Sequence, residues 1–150
     1  MPLPVTPGQT IGPFFTLGLS VPDRPGAVLL HGCVYDADGA PVPDALLEFR
    51  QAGPHLVRAA TGPDGHYGAR TSLPGGRPYA AVCVFARGMP GHLFTRAYFG
   101  VPDGDALLDR LPSGRRETLL AVREAGDRFR FDVRLGGAAE TVFLRPVPGP

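Results

Sequence analysis

Residues 128–135 read RFRFDVRL, and this octet decides the fold. Phe129, Phe131, Val133 and Leu135 share one side of a period-two repeat, while Arg128, Arg130, Asp132 and Arg134 share the other. Successive side chains of an extended chain point to opposite faces, so the octet is a strand with one face on a core. Its other face is wet or meets an acidic neighbour.

Outward from this strand the same texture repeats. Short apolar runs lie at 27–35, 45–50, 55–61, 66–73, 79–88, 93–99, 117–124 and 140–146, separated by turn signals such as DADG (36–39), GPDG (62–65) and EAGD (124–127). Runs of about 6 to 10 residues between such turns predict antiparallel β-structure. YAAVCVFA (79–86) is apolar on both faces and reads as a central strand. DGDALLDRL (103–111) alone looks helical: Asp103 or Asp105 caps it, Leu107, Leu108 and Leu111 form a stripe, and Pro112 stops it. The expectation is an antiparallel β-sandwich of about eight strands with one short helix, over residues 27–150, without internal repeat or second domain.

Bulk properties narrow the function classes. The 150 residues carry a net charge of +1 and are 43% hydrophobic, which suits one domain with a real core. A balanced charge argues against nucleic acid as the main partner. No apolar run approaches the roughly 20 residues of a membrane span, and no signal peptide is evident, so a cytoplasmic location is expected. All 15 basic residues are Arg, whose planar fork pairs with carboxylates and tolerates interfaces better than an ammonium group. Cys33 and Cys83 sit in apolar runs without CxxC spacing and read as buried free thiols.

Chemistry is harder to find. His31, His55, His66 and His92 show no H-x-H, H-x3-H or HExxH spacing, although metal ligands can also come from distant strands. Ser20, Ser72 and Ser113 lie in loops without a neighbouring His, and there is no GxSxG or P-loop. The N-terminal TPGQTIGPFF (6–15) is too broken by Gly and Pro for a helix and lacks strand alternation. It is a frayed leader, a segment packed on its own domain, or a finished surface for a partner.

Four stretches in order carry a family resemblance: TPGQTIGPFFTLGL (6–19), GCVYDADGAPVPDALLEFRQA (32–52), VFARGMPGHLFTRAYF (84–99) and RRETLLAVREAGDRFRFDVRLGGAAETVF (115–143). Together they resemble the α subunits of two-subunit intradiol ring-cleaving dioxygenases, across nearly the whole chain. The resemblance implies an oxidoreductase subunit dependent on a β subunit of the same fold. That β partner would hold Fe(III) with two tyrosines and two histidines of an H-x-H strand. The implied reaction is O2-dependent cleavage of a carboxylated catechol, protocatechuate, to 3-carboxy-cis,cis-muconate, a step in aromatic-compound catabolism.

By the same resemblance this chain supplies walls, not a metal. Aligned back from FARG, the H-x-H positions fall on Tyr79 and Ala81, and an alanine ligates nothing. The tyrosine-bearing loops look shortened. Thr10, Gly12, Pro13 and Phe14 match the segment that approaches the partner's iron, making residues 1–26 a partner-facing segment. Arg87 matches the arginine facing the substrate carboxylate; Arg96 reads better as a sheet-face ion pair. Two rival readings stay open: a β-sandwich binding or carrier module that kept the fold alone, and a self-sufficient iron enzyme using Tyr35, Tyr67, Tyr98 and scattered histidines.

Overall fold

The computed structural model describes Thr10, Gly12 and residues 28–51, 56–73 and 77–145. The chain order is β1 (Val28–Tyr35), β2 (Ala45–Arg50), β3 (Leu56–Ala60), β4 (His66–Thr71), β5 (Tyr79–Ala86) and β6 (Leu93–Tyr98). Helices α1 (Ala106–Arg110) and α2 (Ser113–Glu117) follow, then β7 (Val122–Arg123), β8 (Arg128–Arg130) and β9 (Val133–Arg134). One sheet runs β4-β1-β8-β7, with β9 also on β1; the other runs β3-β2-β5-β6.

The alternation of 128–135 is realised: Phe129, Phe131 and Val133 are buried while Arg128 and Arg130 are exposed. These side chains meet Leu30 and Val34 of β1, Tyr67 and Ala69 of β4, and Leu47, Phe49, Val82 and Val84 of the opposite sheet in one core. As its apolar faces foretold, β5 is central, antiparallel to both β2 and β6.

Three expectations need correction. The sheets are not wholly antiparallel, because β8 and β9 both run parallel to β1. The tight turn at 124–127 pairs β8 antiparallel to β7, and this leaves β8 to enter beside β1 in the same direction. The octet is also broken in the middle, where the Asp132 carboxylate accepts the Cys33 N–H at 3.0 Å and takes the place of a backbone rung. Closeness there is extreme: a Cβ on Gly32 would stand 2.1 Å from the Phe131 carbonyl oxygen. Second, the expected strand at 117–124 is reduced to Val122–Arg123, since α2 occupies 113–117. Pro112 ends α1 and serves as the residue before α2, a place where a missing N–H costs nothing.

Third, of the strand expected at 140–146, the described residues, 140–145, contribute an isolated bridge from Leu144 to Phe94. A second, smaller cluster of Tyr98, Leu108 and Leu119, with Tyr79 against it, joins the helices to β5 and β6. Asp105 caps α1 through the Leu107 and Leu108 N–H groups, as the sequence predicts. Among the described residues no helix is long and apolar enough to cross a membrane.

Candidate functional site

At its C-terminal end β5 runs into Arg87 and Gly88, and Gly88 turns the chain at φ +82°. That turn is held by a residue more than seventy positions away. The Thr10 hydroxyl accepts the Gly88 N–H at 3.0 Å and donates to the Ala86 carbonyl at 3.4 Å, bracketing Arg87 on both sides. The Arg87 N–H donates to the Asp44 carbonyl at 3.2 Å. Its guanidinium Nη1 lies 3.3 Å from Asp44 Oδ2. Both side chains are about half exposed, 53% and 44%, so water screens the pair to less than about 1 kcal/mol. Arg87 is therefore oriented beside Asp44 while about half of its side chain stays in solvent.

Beside this turn opens a cavity of about 320 Å³, lined by Thr10, Phe85, Ala86, Met89, Pro90 and His92, with Gly91. His92 is wedged between aromatic rings, its centroid 5.4 Å from Phe85 and 4.6 Å edge-on from Phe94. Gly12 is exposed, and a Cβ built there would meet nothing within 4 Å. Of the five residues singled out from the sequence, Thr10 and Arg87 thus converge and Gly12 lies in open space; Pro13 and Phe14 lie outside the described residues. Asp44 went unread. Its PDA context resembles a turn, and nothing local signals a partner 43 positions away.

The matched metal positions do not suit a ferric ion. Ala81 is exposed, and its cross-strand neighbours are Arg50 on β2 and Arg96 on β6, two cations that would repel a metal. Tyr79 is taken by the Arg96 guanidinium, 4.2 Å above its ring, and by the Tyr98 ring at 5.1 Å. Arg96 is no sheet-face ion pair: besides the Tyr79 ring it holds the Tyr98 hydroxyl at 3.0 Å, which donates onward to Asp105 at 3.1 Å.

The other tyrosines are equally committed. Tyr67 is buried and donates to the Phe131 carbonyl at 2.5 Å; burial raises its pKa well above the usual value. Burial also raises that of Tyr98. Tyr35, whose pKa is raised first by its hydrogen bond to Cys33, lies under the Arg134 guanidinium at 4.5 Å. Neutral phenols resist becoming the phenolates a ferric ion needs. Among the described residues no three His, Cys, Asp or Glu side chains group together as a metal site.

No family model matches the chain. It is 35% identical to the protocatechuate 3,4-dioxygenase alpha chain of Burkholderia cepacia, across 93% of this chain and 96% of that one. The chain belongs to the protocatechuate 3,4-dioxygenase alpha-chain family. A second such alpha chain, from Pseudomonas putida, is 33% identical over 95% of this chain and 96% of its own length. Among solved structures, the dioxygenase domain of a dioxygenase–carbohydrate-binding fusion from Streptomyces sp. SirexAA-E is 30% identical. It superimposes with a TM-score of 0.58, over 89% of this chain and 99% of that domain. Catechol 1,2-dioxygenase from Pseudomonas arvilla C-1 shares the fold at 21% identity and a TM-score of 0.53, over 80% of this chain and 55% of its own. As a member of that family, the polypeptide is of the intradiol dioxygenase class of oxidoreductases, built on the β-sandwich its sequence predicts.

Proposed function

We propose that this alpha chain lends the walls and the carboxylate-binding guanidinium to an active centre whose ferric ion sits on a protocatechuate 3,4-dioxygenase beta subunit. The observation that carries the reading is the bracketing of Arg87 by the Thr10 hydroxyl. It ties Thr10 to the FARG turn, distant in sequence, where the Arg87 guanidinium stands beside Asp44 with about half of its side chain in solvent. In the assembled enzyme Thr10, Gly12, Pro13 and Phe14 would line the pocket mouth. Gly12 and Pro13 offer a fixed backbone with little to order on binding, and Phe14 offers an apolar wall. Arg87 would orient the ring by its carboxylate. When bound by its partner, the iron would chelate the two catechol oxygens and prime the ring for O2.

A cytoplasmic enzyme acting on protocatechuate follows from the same reading, supported by two cysteines that stay as free thiols. A carrier module is disfavoured, since drift would have no reason to keep Thr10 bonded to Ala86 and Gly88 on either side of Arg87. Steady-state kinetics of the alpha–beta complex test it. A guanidinium–carboxylate hydrogen bond is worth about 1.5–3 kcal/mol, so Arg87→Ala raises KM for protocatechuate roughly 10- to 150-fold while KM for plain catechol stays put. Equal changes for both substrates would remove Arg87 from this role.

A further inference from the structure

At the opposite end of β5 from Arg87, a full strand length away, a second cavity of about 450 Å³ opens between the start of β1 and the residues after β6. Its interior is aromatic. Phe99 and Phe129 meet edge to face, their centroids 5.0 Å apart. Leu73 and Val101, 52% and 59% exposed, lie on its rim and leave apolar surface in water. Two guanidiniums, Arg77 and Arg123, border the same space. Arg123 lies over the Phe129 ring at 5.9 Å. Neither arginine joins the ion pairs formed among the described residues. One carboxylate, Asp127, also lines the cavity, so its charge is positive on balance.

An enclosing apolar wall with few polar groups is the form of a small-molecule site. Here the charged groups are two guanidiniums without an ion pair among the described residues, one of them over the Phe129 ring, and the single carboxylate of Asp127. We propose that this cavity binds a small planar aromatic carboxylate, its ring against Phe99 and Phe129 and its carboxylate between Arg77 and Arg123. A ring without a charge leaves both guanidiniums unanswered, and a charge without a ring leaves the apolar rim wet. The occupant needs both. The site requires no metal and no partner, and does not depend on the role given to Arg87.

Benzoate is the probe, with saturation-transfer NMR and calorimetric titration on the full chain, free of any beta subunit. Binding with a Kd of about 1 mM or tighter is expected. Arg77→Gln and Arg123→Gln, both at exposed side chains, each weaken it about tenfold or more, as does replacing benzoate by benzyl alcohol or acetate. Val101→Glu, which sets a second carboxylate on the rim, also weakens it, whereas Arg87→Gln leaves it unchanged. Absence of saturation transfer at millimolar benzoate would overturn the proposal. So would equal binding of acetate, or loss of binding in Arg87→Gln with both other variants intact. Retained benzoate binding beside an unaltered KM in Arg87→Ala would sink the active-site reading and leave this one standing.

Discussion

A single hydroxyl at Thr10 carries two bonds, one to each side of Arg87. Thr10→Val keeps the shape and removes both. The isolated chain should lose about 1 kcal/mol, and the complex should show a several-fold rise in KM for protocatechuate at little change in kcat, with Thr10→Ser near wild type. A second residue-scale test concerns Asp105. Burial is the largest influence on its carboxyl and acts upward, yet the Leu108 N–H, the Tyr98 hydroxyl and the Leu107 N–H together hold it below the usual value. A carboxylate with a depressed folded pKa stabilises the fold above its unfolded value, near about 3.9, and that help fades as pH falls through the folded value. Asp105→Ala should therefore cost about 1 kcal/mol at pH 7, with the gap to wild type closing below about pH 4 in urea melts. At this scale the sequence singled out Arg87 and Thr10 through their motif context, and the structure brings the two together; the leucine stripe left the cap between Asp103 and Asp105, and Asp105 takes it. It hid Asp44 and the Arg96–Tyr98–Asp105 chain, because those partnerships depend on register between strands and helices that no local pattern encodes.

Among elements, the 128–135 stretch shows what alternation can and cannot tell. Period two states which side chains go inward, and Phe129, Phe131 and Val133 did. It is silent on the neighbour, and the parallel alignment with β1 came from the chain path through β7. The close crossing at Gly32 offers the element-scale prediction. A methyl there collides with backbone at Phe131, not with a side chain that could swing away. Gly32→Ala should cost about 1–3 kcal/mol in chemical denaturation, whereas Gly68→Ala, with a flexible Leu29 methyl group at 3.7 Å as its nearest neighbour, should cost less. A Gly32→Ala protein as stable as wild type would mean that the β1 seam is looser than described. The helix α2 was missed for a related reason. Pro112 reads as a stop, and it stops one helix while opening the next.

For the whole molecule, membership of an alpha-chain family was legible because four stretches occur together in order, a far stronger signal than any one of them. The cavity beside Phe99 and Phe129 was not, since its lining comes from five separate parts of the chain. The whole-molecule prediction is one of division of labour. Expressed alone, this polypeptide should carry no iron and no visible tyrosinate-to-iron absorption. Purified with an H-x-H-bearing beta subunit, the pair should be red-brown and cleave protocatechuate. Colour and stoichiometric iron in the isolated chain would overturn that division.

Ala81, set between Arg50 and Arg96, also bears on any attempt to install a metal here. Imidazoles written into positions 79 and 81 would supply the lettering of a centre without its climate. Two positive neighbours on the flanking strands would still greet the ion, so an engineer would have to rewrite β2 and β6 along with β5.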